Sequence, residues 1–137
     1  MFSRLAIVVA FLLVSFASAS AVEYCPIKTV PITKFNCEKG LSYVGPRNKF
    51  KYGGQCIYPL QGCIAKVEDA NDDKCPGGTF VGSPKAAKFG GQCVYPADGW
   101  KIETRVAKAF SDCKPPEVYM GAAKKGTLGG HCVKISK

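Results

Sequence analysis

One histidine, one tryptophan and two methionines are all that the 137 residues hold of those types. No Cys-x-x-Cys pair occurs and His131 stands alone, so the usual spacing of a zinc site is missing. Asn36, Asn48 and Asn71 lack Ser or Thr two residues later, which excludes N-glycosylation. A Ser/His/Asp triad would have to use His131, whose counterparts in the repeats set out below are Gln55 and Gln92. A position filled twice by Gln reads as structural. The stretch Glu68 to Asp73 (EDANDD) begins like a calcium loop, but Lys74 replaces the central glycine and Phe80 the closing carboxylate. It reads as a solvated acidic linker. No pair of carboxylates is placed for glycoside cleavage. The expectation is a protein that is not an enzyme and carries no cofactor or metal.

After residue 21 no apolar run approaches membrane length. Before it, Arg4, an apolar block from Leu5 to Val14 and small residues at Ala17, Ala19 and Ala21 have the layout of a secretory signal peptide. The expected division is 1–21 signal and 22–137 mature chain, secreted and extracellular. Losing Arg4 lowers the formal charge from +9 to +8. All eight cysteines lie in the mature chain. An even number in an oxidising compartment reads as four disulfides.

Segments beginning at Cys37, Cys75 and Cys113 share a series of landmarks. Each has an aromatic (Tyr43, Phe80, Tyr119), then Val44, Val81 or Met120, then Gly45, Gly82 or Gly121. Eleven residues later comes Cys56, Cys93 or Cys132, directly preceded by a Gly-Gly-x sequence. The chain therefore reads as three tandem repeats of about 38 residues, 25–62, 63–99 and 100–137, in a single disulfide-stapled domain. Upstream, Cys25 and Cys63 occupy matching places and Trp100 the third. Eight cysteines allow 105 pairings. The parsimonious one is Cys37–Cys56, Cys75–Cys93 and Cys113–Cys132 within repeats, with Cys25–Cys63 left over.

β-Branched and aromatic residues bounded by Gly and Pro predict short strands around each aromatic-apolar-Gly run and after each second cysteine. The double glycines predict a bulge or positive-φ turn, and Pro59 and Pro96 a strand end. Ile102, Val106 and Phe110 fit helical spacing and predict a short helix over 102–110. The fold class is all-β, small and disulfide-rich: packed hairpins, or a pseudo-threefold arrangement like a β-trefoil.

Between the repeat glycine and the second cysteine lie Arg47, Lys49 and Lys51; Lys85 and Lys88; Lys124 and Lys125, with no acid among them. If the loops share a conformation, they form a basic binding surface for an acidic protein, an anionic glycan or an anionic membrane surface. Nucleic acid is not expected, since the chain is exported and shows no nucleic-acid module. Tyr43, Phe80 and Tyr119 read as core. Tyr58 and Tyr95, with Lys134 as third counterpart, are a candidate stacking platform for carbohydrate.

Signal peptide, even cysteine count, small size and basic repeats together resemble the small cysteine-rich secreted proteins of plant-associated fungi and oomycetes, many of which act as effectors on a host. The Cys-Cys doublets of hydrophobins are absent, and hevein-type and knottin frameworks space their cysteines more closely. The resemblance implies a secreted, non-enzymatic virulence effector that binds a host extracellular component through the basic loops. The alternatives are a basic antimicrobial or membrane-active toxin, and an extracellular glycan-binding or wall-associated protein. No strongly amphipathic cationic helix supports the toxin reading.

Overall fold

The computed structural model describes residues 22–33, 36–58, 62–124 and 128–137; the expected signal segment, Pro59 and Lys125 lie outside them. Nine strands form three three-stranded antiparallel sheets. β1 (Thr29–Ile32), β2 (Ser42–Val44) and β3 (Gly54–Ile57) make the first, in the order β1-β3-β2. β4 (Ile64–Ala70), β5 (Thr79–Gly82) and β6 (Gly91–Pro96) make the second, in the order β4-β6-β5. β7 (Lys101–Ala107), β8 (Val118–Gly121) and β9 (Gly130–Ser136) make the third, in the order β7-β9-β8. The strand carrying the second cysteine is central each time, because it alone has partners on both edges. The fold is all-β.

Period-two alternation splits each central strand between two faces. On the outer face Cys56, Cys93 and Cys132 lie opposite Tyr43, Phe80 and Tyr119. On the inner face Ile57, Val94 and Val133 meet Val44, Val81 and Met120 in one buried cluster. Each such side chain contributes roughly 1.5–3 kcal/mol on burial, against about 0.2–1 kcal/mol for a surface cross-strand pair. The inner face therefore holds the three sheets together.

Four disulfides join Cys25–Cys63, Cys37–Cys56, Cys75–Cys93 and Cys113–Cys132. The last three each tie a sheet's central strand to the segment leading into its outer strand. Cys25–Cys63 joins two sheets inside the core, and Trp100 packs against the same cluster.

Two expectations are corrected. Residues 102–110 form no α-helix: β7 covers Lys101–Ala107, and a 3-10 turn follows at Phe110–Asp112. A spacing of four is also a multiple of two, so Ile102 and Val106 satisfy a strand equally, and β9 supplies the hydrogen bonds. The acidic stretch is only half a linker. Glu68 and Asp69 belong to β4, paired with Cys93 and Gln92.

Candidate functional site

The basic loops are not free-standing. The first contains a single helical turn, α1 (Lys49–Tyr52), opened by Asn48, whose side chain accepts from the Lys51 N–H. The second contains α2 (Ala86–Phe89). Gly53 and Gly90 close these turns with φ of 69°, a region glycine enters without a Cβ clash, and this returns the chain into the central strand.

Backbone bonds then join loop to loop. The Arg47 N–H donates to the Phe89 carbonyl at 2.9 Å, and the Ala123 and Lys124 N–H groups donate to the Tyr52 carbonyl at 3.0 Å. Tyr52 and Phe89 meet edge to face at 5.3 Å between ring centroids. Lys124 Nζ donates to the Phe50 carbonyl. Arg47, Lys49, Lys51, Lys85, Lys88 and Lys124 thus ride on loops gathered at one end of the sheets. Several keep aromatic neighbours: Lys49 lies 5.3 Å from the Tyr43 ring, Lys51 5.4 Å from Tyr52 and Lys88 5.3 Å from Phe89.

A second set of contacts links the sheets beneath these loops. Gln92 Oε1 accepts from the Gly45 N–H and Gln55 Oε1 from the Gly121 N–H, each at 2.7 Å. His131 Nδ1 lies 3.0 Å from the Gly82 carbonyl, so the neutral ring donates through Nδ1–H. The residue before each second cysteine therefore reaches a neighbouring sheet, and the three contacts close a circuit. Burial pushes the His131 pKa down, with the Gly82 contact opposing it. Burial, and then the charge of Asp69, pushes the Tyr43 hydroxyl up; burial, and then Asp112, pushes Tyr119 up to about 12.

The three junctions differ in what fills them. Between the first and second sheets the Arg47 guanidinium donates to Asn71 Oδ1 at 2.9 Å and lies 3.7 Å from Asp69. Its stem lies against Gly90, where an added Cβ would fall 2.3 Å from Arg47 Cγ. Between the second and third sheets is a cleft of about 480 Å³ walled by Asp72, Asp73, Lys85 and Lys88 over Phe80 and His131. Between the third and first sheets is one of about 450 Å³, walled by Ala109, Phe110, Tyr119 and Pro31. Strand register makes Asp72 and Asp73 the counterparts of Ala109 and Phe110.

Tyr58 and Tyr95 are at the opposite end, about 13 Å along the central strand from the double glycines. Lys28 stands 5.3 Å from the Tyr58 ring and Lys66 4.7 Å from Tyr95, while in the third sheet Glu103 and Lys134 approach to 3.7 Å. All three are the same cross-strand position, kept attractive by different chemistry. Tyr95 also covers Gly78. The basic loops and the tyrosines are therefore two separate regions.

Ala109 and Phe110 had no marker in the repeat register, which aligns only shared residues; the one available signal was a phenylalanine standing where the second repeat has Asp73. No protein-family model matches this chain, and comparison with curated proteins and with solved structures finds no similar one.

Proposed function

We propose that this chain is a secreted, non-enzymatic binding protein, an effector that engages an acidic host extracellular protein through its basic loop end. The observation that carries this reading is the hydrogen bonding of the loops to each other, through the Phe89 and Tyr52 carbonyls. Six cations from three distant stretches of sequence then share one surface with Asp69, Asp72 and Asp73, and its excess of positive charge steers an anionic partner. Four disulfides, and the lack of any helix among the described residues long and apolar enough to cross a membrane, are compatible with an extracellular protein. On the same reading the segments 25–62, 63–99 and 100–137 are copies of one unit, arranged with pseudo-threefold symmetry in one domain. The identical strand order of the sheets and their circuit of inter-sheet contacts support it.

The test is binding of fluorescein-labelled octaglutamate, followed by anisotropy. Replacing Lys49, Lys51, Lys85 and Lys88 by Ser is expected to weaken it about tenfold, or 1.4 kcal/mol, consistent with roughly 0.3 kcal/mol per exposed charge. Four matched changes at Lys28, Lys39, Lys101 and Lys114 keep the net charge equal and are expected to cost far less. Binding should also fall as salt rises, because exposed charges are screened beyond about 8 Å at physiological ionic strength. Equal losses in the two variants would mean net charge alone binds the probe, and the loop end would be no site.

A further inference from the structure

The loop surface has two open clefts of similar size and opposite character. The one between the second and third sheets carries Asp72 and Asp73 on its wall beside Lys85 and Lys88, so an anion entering it meets two carboxylates as well as two lysines. The one between the third and first sheets carries Ala109 and Phe110 in those places, and none of its lining residues is acidic. Lys108 and Lys124 line this second cleft, together with Ala122 and Ala123. Asp112, exposed two residues beyond Phe110, has one carboxylate oxygen occupied by the Lys108 and Ala109 N–H groups at 2.8 and 3.3 Å. Gln55 Oε1, at the cleft's inner side, is committed to the Gly121 N–H.

Phe110 is the second observation. Its side chain is 76 % exposed, the most of any large apolar residue described, although its ring meets Tyr119 edge to face at 6.2 Å. Phe50 is 58 % exposed, and the Lys124 ammonium donates to its carbonyl. Singly exposed apolar side chains are ordinary. Here an exposed aromatic and two lysines line one cleft, and one of those lysines is bonded to the backbone of a second exposed aromatic, at the end of the sheets that carries the basic loops. Interface hot spots have this composition: a pocket taking an aromatic anchor, ringed by polar groups that exclude water.

We propose that the cleft between the third and first sheets receives one aromatic or branched apolar side chain from an acidic segment of a protein partner. Carboxylates on either side of that anchor meet Lys108 and Lys124, with Lys49 and Lys51 on the adjoining loop that carries Phe50. The proposal rests on the loop-end reading and adds the chemistry of the partner to it. A sugar is a poorer occupant, because the cleft's amide oxygen is already bonded and no carboxylate is there to accept from hydroxyl groups.

Three labelled pentapeptides test it by anisotropy: Glu-Glu-Phe-Glu-Glu, Glu-Glu-Ala-Glu-Glu and the neutral Gly-Ser-Phe-Ser-Gly. The first is expected to bind about tenfold more tightly than the second, as burial of one aromatic ring predicts. Ala109→Glu and Phe110→Ser, both at exposed positions, should reduce that ratio to about one and leave the thermal melt unchanged. If the two acidic peptides bind the wild-type protein equally, the cleft assignment fails while the loop reading stands. Should the neutral peptide bind as tightly as its acidic analogue, both fail. Phe110-dependent binding to phosphatidylglycerol vesicles, without discrimination between the peptides, would also overturn it in favour of a membrane.

Discussion

His131 holds the third sheet to the second by donating to the Gly82 carbonyl, the task Gln55 and Gln92 perform elsewhere by accepting from an N–H. Its pKa is depressed by burial. The folded chain therefore binds the proton less readily than the unfolded chain, where the ordinary value near 6.5 applies. Stability from this residue is complete above pH 6.5 and is lost as the pH falls below it, through the depressed folded value. Urea midpoints at pH 7 and pH 5 should show this loss in the wild type and less of it in His131→Gln. If the variant loses as much, His131 is not the source of the pH dependence. That this position is structural was legible from its two Gln counterparts. Its partners were not, because they lie 47, 66 and 49 residues away in other sheets.

Each sheet has a pair of facing glycines: Gly45 with Gly54, Gly82 with Gly91, and Gly121 with Gly130. A Cβ on Gly91 would lie 2.2 Å from the Val81 carbonyl oxygen and 2.6 Å from Phe80 Cζ, and one on Gly54 would strike the Tyr43 ring. In the first two sheets the repeated aromatic thus lies over a glycine that leaves room for it, an arrangement known to repair the lost packing of a strand glycine. Gly91→Ala is expected to cost about 3 kcal/mol by overpacking. Gly77→Ala is the comparison: nothing lies within 4 Å of its Cβ, but φ is +78°, so the cost is conformational, about 1 kcal/mol. Chemical denaturation of both separates steric from backbone effects; equal losses would mean the aromatic adapts. The glycines were legible as punctuation; the aromatics, expected in the core, lie instead on the outer face with only Tyr119 buried, and their contact with the glycines depends on pairing register. β7 was misread for a related reason. Apolar residues four apart do not distinguish the two periodicities, and only the edge of β9 selects between them.

Across the molecule, three disulfides act within sheets and one between them. By loop entropy Cys25–Cys63, with a separation of 38, contributes about 4 kcal/mol, and Cys113–Cys132, with a separation of 19, about 3 kcal/mol. Cys25 and Cys63 are also 5 % and 0 % exposed, so replacing both by Ala removes core volume as well. That double variant should be less stable in urea than one with Cys113 and Cys132 both replaced by Ala; the reverse order would mean that the inter-sheet link matters less than each sheet's own staple. The cysteine register made the pairs readable. The grouping of the lysines, and the cleft beside Phe110, depend on packing between sheets and left no periodic trace. The closure of the circuit reaches the chain ends as well. Cys25 N–H donates to the Ile135 carbonyl, Tyr24 bridges Ser136, and Lys137 N–H donates to the Glu23 carbonyl. Both ends of the described chain therefore lie side by side, about 20 Å along β9 from the lysines. A carrier, bead or fluorophore attached at either end of the described chain leaves the basic loops facing outward, and the two ends can be spliced by a short peptide without crossing those loops.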